Sequence, residues 1–225
     1  MAQRSLRRPS SADWGKLTNL SFHLRLPILA IVCLCALSAV SSAADPSQSR
    51  TKKAMEQSFR SKGQATLSRL DQDRTQALCT RYAATPIPIK VAAQVTADNL
   101  ATIHYPVDGK YLGDWQRGEQ IAQTGAGKQF SDNPVEPSGG NCYACHRLTK
   151  AEIAYGNLGP SLYNYGKVRS ASEVVEKYTW GKIYNADAYS ACSSMPRFGH
   201  KGILTESQIK DVMALLLDPQ SPVNQ

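Results

Sequence analysis

The stretch SGGNCYACHR, Ser138 to Arg147, constrains this chain more than any other. Cys142 and Cys145 are separated by two residues, and His146 follows at once. C-x-x-C-H is the pattern for covalent attachment of a c-type haem. Two thiols must reach the two vinyl groups of one porphyrin, and a turn with two intervening residues sets that distance. The adjacent imidazole then points at the iron as an axial ligand. Three other uses of these residues compete. A structural zinc site wants a second ligand pair, and Cys79 and Cys192 stand alone in the sequence. A thioredoxin-like dithiol belongs beside a βαβ pattern, which is absent. A plain disulfide accounts for the cysteines and leaves His146 unexplained.

Haem c is attached outside the cytoplasm, and the N-terminus agrees. Leu24 to Val40, LRLPILAIVCLCALSAV, is a short apolar run behind a basic segment, followed by SSAAD. That reads as a secretory signal peptide over residues 1–43, cut after Ala43 or Ala44; an uncleaved anchor is the competing reading. Arg7-Arg8 hints at the twin-arginine route, but its surroundings fit the general secretory route better. Cleavage removes Cys33 and Cys35. It also lowers the net charge from +8 to +4, because five Lys/Arg and Asp13 leave. The expected location is the periplasm, with no membrane attachment after cleavage.

Residues 44–110 read as an N-terminal extension. Between Arg50 and Arg81 it holds eight basic and three acidic residues. Met55, Phe59, Leu67, Leu70, Leu78 and Tyr82 recur as one apolar stripe, which suggests a basic amphipathic helix lying on its own domain or on a partner. Export and the lack of interleaved aromatics exclude nucleic acid as that partner. Ala84 to Val95, with two prolines, reads as an extended crossing segment. Residues 111–225 read as a helical domain. Asp114 caps a short helix that Gly125 stops, Ser172 caps a second, and Leu204 to Pro219 is the clearest helix of all. Its capping box is Thr205/Gln208, and its buried face is Ile209, Val212, Met213, Leu216 and Leu217. Strand signal is slight, so the fold class is all-α.

A six-coordinate haem needs a second axial ligand. Met213 falls on the apolar face of the last helix and Met55 in the basic helix. Met195 lies in the loop SSMPRFG, 49 residues after His146. Such a loop can present a thioether to iron, so Met195 leads, with His200 next and His104 behind. Met/His ligation raises the potential relative to bis-His. Cys79 and Cys192, both exported, would oxidise if left free. A bridge between them would pin the basic helix beside the Met195 loop; two buried thiols, or a bond to a partner, are the alternatives.

GNCYACH, GNLGPSLYNYGK and ACSSMPRFGHKGILTESQIKDVMALLLDP, in that order, resemble the SoxX family, mono-haem c-type cytochromes of thiosulfate oxidation. The resemblance is strong from Gly139 to Asn224. It implies a class I cytochrome c domain with an N-terminal helical extension and one covalent haem c on Cys142 and Cys145. It implies His146 and Met195 as axial ligands, and a first and last helix crossing near the haem. In small cytochromes c a proline at the position of Pro160 offers its carbonyl to the proximal imidazole; a simple turn proline is the other reading. The implied partners are a SoxA-like di- or mono-haem cytochrome in a heterodimer, the SoxYZ carrier, and a small soluble electron-acceptor cytochrome. The implied role is electron acceptance in an L-cysteine S-thiosulfotransferase whose catalytic centre sits on the SoxA partner, so no catalytic residue is expected here. A stand-alone electron carrier is the alternative. A haem sensor is weaker, because the Met195 loop closes the sixth position.

Overall fold

The computed structural model describes residues 46–170 and 172–225; the signal peptide expected over 1–43 lies outside them. Among the described residues there are seven α-helices: α1 (Pro46–Ser58), α2 (Arg74–Arg81), α3 (Ile89–Leu100), α4 (Trp115–Gln123), α5 (Tyr165–Arg169), α6 (Glu173–Tyr184) and α7 (Glu206–Leu217). Among the same described residues four short 3-10 turns accompany them, and the only β pairing is one isolated bridge between Lys62 and Ala65. No described helix is long and apolar enough to cross a membrane.

α7 is the hub. Thr205 Oγ1 accepts from Gln208 N and the Gln208 side chain accepts from Thr205 N, closing the capping box. Ile209 and every residue from Val212 to Leu217 are buried, not merely one face. The reason is that α4, α5, α6 and the C-terminal turn all pack on α7, so Ala214 and Leu215 join the five residues expected inside. α4 starts where Asp114 Oδ1 accepts from Gln116 N at 2.8 Å and Arg117 N at 3.1 Å. It crosses α7 at Gly118, where a Cβ would overlap the Asp211 carbonyl. Beside that crossing Asp211, 3% exposed, accepts from Arg117 Nε at 2.9 Å and Nη2 at 2.8 Å. α6 is capped by Ser172 and sends Trp180 into the core, its Nε1 donating to His104 O at 2.8 Å.

α5 and the tail behind α7 had no clear sequence signal. Asn224, fully buried, donates to the carbonyls of Leu216 and Asp218 and accepts from Gly166 N and Lys167 N. It thus fastens the start of α5 to the end of α7.

Two expectations for the extension are corrected. The single amphipathic helix is broken: α1 ends at Ser58 and α2 begins only at Arg74. Gly63 turns the chain at φ +52°, where a Cβ would overlap the Phe130 carbonyl, and Asp73 opens a new capping box with Gln76. The apolar spacing across this break was coincidental, and Phe59 is 54% exposed. Second, Ala84 to Val95 is not one extended segment: Ala84 and Thr85 belong to the turn after α2, only Pro86 to Pro88 cross without turn or helix, and α3 starts directly after Pro88. Proline biases the residue before it away from helix but leaves the residues after it free to enter one. α3 buries Val95 and Asn99 against the turn Ala186–Ala188. There Asn185 Nδ2 donates to Asn99 Oδ1 and Thr102 Oγ1, each at 2.9 Å.

Candidate functional site

The Cys142–Ala144 turn follows Asn141, which sits in the left-handed region at φ +46°. Cys145 N and His146 N both donate to Cys142 O, at 3.1 and 2.9 Å. This tight turn directs Cys142, Cys145 and His146 into one cavity of about 910 Å³. The two thiols are not joined to each other. Burial pushes the Cys142 thiol up to about 12, so it stays protonated at neutral pH. That disfavours Cys142 as the attacking thiolate of an exchanging dithiol. Among the described residues, no group of three His, Cys, Asp or Glu side chains converges to hold a metal ion.

His146 is aimed by the loop that follows. Its Nδ1 donates to Pro160 O at 2.7 Å, which leaves Nε2 for a metal. Gly159 lies flat on the ring: a Cβ there would overlap the imidazole. Gly159 N donates to Cys145 O and Gly156 N to Tyr143 O, both at 2.8 Å, so the loop is stitched to the cysteine turn. The GNLGP run carried this signal, but only Pro160 was singled out from it; the need for Gly159 was missed.

Met195 lines the same cavity from the other end of the sequence motif set. Its backbone N donates to Ser193 Oγ at 3.2 Å. The rival ligands are elsewhere. Met213 is fully buried in the core, and His104 packs edge-on against Tyr184. His200, its protonation disfavoured by burial and by Arg197 and Lys201, does not line the cavity. Cys79 and Cys192 are joined by a disulfide that closes 113 residues of sequence.

The cavity suits a haem. Its volume falls within the usual range for a bound organic ligand. Leu148, Ile183, Phe198, Leu204, Val212 and Leu216 give it apolar walls. Arg169 and Lys182 also line it, and neither is in an ion pair among the described residues, so two cations are available for two propionates. Cys142 and Cys145 could hold a haem covalently, with His146 and Met195 as the candidate iron ligands on the same cavity.

Residues 116–218 match the family model "Cytochrome c". An "Uncharacterized lipoprotein" of Aquifex aeolicus (strain VF5) is 39% identical over 162 residues, which span 68% of this chain and 73% of that protein. Only Pro219 to Gln225 follow the matched domain, so this likeness includes residues ahead of Gln116 and takes in part of the extension. Residues 116–218 thus form an all-helical class I cytochrome c domain, of the kind that binds haem c covalently and transfers electrons.

Proposed function

We propose that the chain is a SoxX-like redox subunit carrying one haem c, which accepts electrons from a SoxA-like cytochrome on the outer side of the cytoplasmic membrane. One observation carries the haem site: Cys142, Cys145, His146 and Met195 line one apolar cavity. A haem there supplies one-electron exchange between ferric and ferrous iron. The chain's own residues do the rest. Cys142 and Cys145 fix the porphyrin edge, Pro160 holds His146 in the tautomer with Nε2 free, and Met195 supplies a neutral soft ligand that favours a raised potential. The disulfide fits an oxidising compartment.

The SoxX-like part rests on the order of GNCYACH, GNLGP and MPRFG with the last helix. In such a complex the chain takes electrons as thiosulfate is joined oxidatively to a cysteine of a SoxYZ-type carrier, and passes them to a small soluble cytochrome. The transfer chemistry would reside on the SoxA-like partner. Leu158 and Val168, which line the cavity, are 72% and 77% exposed, as expected of a rim that a partner covers. A stand-alone carrier is the second reading. It is favoured by Arg147 and Lys150, which lie over the ring of Tyr163 at the cavity, basic groups suited to transient docking.

The test is an absorption spectrum of the protein matured with haem c attachment machinery. We expect a c-type spectrum with the weak far-red band of Met-ligated ferric haem. Met195→Ala should keep the covalent haem, lose that band and lower the potential; unchanged bands would return the sixth position to another ligand. Co-expression with a SoxA-like cytochrome then decides between the readings. A stable heterodimer supports the subunit, and no complex at micromolar concentration supports the free carrier.

A further inference from the structure

The segment bearing Met195 is fastened on both sides to parts of the chain outside residues 116–218. Before it, Cys192, at φ +59°, is bonded to Cys79 in α2. After it, Arg197 is 7% exposed and donates from Nη2 to Asp73 Oδ2 at 2.6 Å, while its Nε lies 3.5 Å from Asp187 Oδ2. Asp73 is the N-cap of α2 and also pairs with Lys201 at 2.5 Å. Asp187 in turn accepts from Ser193 N at 2.8 Å. A cavity of about 310 Å³, lined by Gln76, Cys79, Cys192, Met195, Arg197 and Lys201, runs along this seam. At the seam with α2 the loop is held by the disulfide and these charge pairs, while Met195 itself packs against the hydrophobic core.

A thioether is a neutral ligand that competes with any nitrogen donor able to reach the iron. Its effective strength scales with the fraction of time the loop holds the competent position. Arg197 is buried while Asp73 is 30% exposed, so the guanidinium charge is little screened and loss of the carboxylate facing it is felt there.

We propose that the N-terminal extension is a clamp on the methionine loop. Asp73 and Arg197 are positioning residues that, with the Cys79–Cys192 bridge, keep Met195 at the iron and so set the potential. This rests on the haem reading above. It gives the extension a purpose that a self-sufficient cytochrome c domain would not need.

The decisive variant is Asp73→Asn. Asparagine still caps a helix, so α2 is preserved while the charge facing Arg197 and Lys201 is removed. Free imidazole is titrated into the ferric holoprotein, and loss of the far-red band is followed. We expect imidazole affinity to rise about tenfold, the potential to fall, and amide exchange at Ser193 and Met195 to accelerate. Asp73→Glu should restore all three. The double variant Cys79→Ser/Cys192→Ser should shift them in the same direction, independently of the charge. Wild-type imidazole affinity, potential and exchange in both the Asn and the double-Ser proteins would overturn the clamp and leave the haem site standing. A wild-type protein without the far-red band would overturn the ligand assignment, and the clamp with it.

Discussion

His146 is held by its near neighbours in sequence. Its Nδ1 partner, Pro160, is 14 residues on, and the intervening loop is stitched back through Gly156 and Gly159. Met195 faces the same cavity but depends on distant ones: a disulfide across 113 residues and an Arg197–Asp73 pair across 124. One side of the site can form as soon as its own loop closes. The other has local bonds too, but gains its disulfide and its Asp73 pair only when the extension docks, because long loops must close before their contacts contribute. The proposed histidine ligand is thus tied to its own loop and the proposed methionine ligand also to the extension, which makes the Met195 side the part of the site that distant regions of the chain can influence.

The largest expected effect comes from cutting the distant tie. Cys79→Ser/Cys192→Ser should lose about 4–5 kcal/mol of unfolding free energy in the chain-entropy account of a loop this long. Urea denaturation measures it. Covalent haem attachment at Cys142 and Cys145 should be unchanged, and a loss near zero would mean that α2 and α3 dock without the bridge. Next comes the local tie. Gly159→Val drives a branched side chain into the His146 ring and should break the Pro160 bond. Partners that orient a metal-binding histidine are worth about 10–100-fold in affinity or activity. The expected result is a sharp fall in holoprotein yield with little change in the stability of the extension. Full haem incorporation would show that the loop can move aside.

The smallest effect sharpens the comparison through pH. Burial opposes ionisation of Asp73, but hydrogen bonds from Lys201, the Gln76 amide and Arg197 outweigh it and hold the carboxyl well below its usual range. A lowered carboxylate adds stability that is fully present above its unfolded value, about 3.9, and is lost as pH falls through the folded one. Wild-type stability should therefore decline below about pH 4. Asp73→Asn should be less stable at neutral pH and flatter on the acid side. Parallel curves would show that Asp73 contributes as a cap and not as a charge.

The same contrast explains what could be read from the sequence. α4 and α7 announced themselves through Asp114, the Thr205/Gln208 box and apolar periodicity, because those signals act within one or two turns. The Cys142–His146 motif was legible for the same reason. Met195 could be picked out as a loop methionine, yet nothing local revealed that Arg197 would meet Asp73 and Asp187. A charged residue reads as solvated until the fold brings its partners. α3 was hidden by Pro86 and Pro88, since their bias was extended past the point where it acts. The α1–α2 break was hidden by apolar spacing that happened to continue across Gly63. Gly118 and Asn224 owe their roles entirely to neighbours from other elements.

The Cys79–Cys192 bridge encloses the Cys142–Cys145 pair within the stretch of chain it closes. Maturation therefore faces two opposite demands in one compartment: one pair must be oxidised, and the other must remain reduced until it has added across the vinyl groups. The four cysteines among the described residues admit three complete pairings. Two of them cross-link the extension to the haem turn, and the third seals Cys142 to Cys145. The order of events during assembly thus matters as much as the final geometry, and a cell making this protein needs an oxidant and a thiol reductant acting on the same newly exported chain.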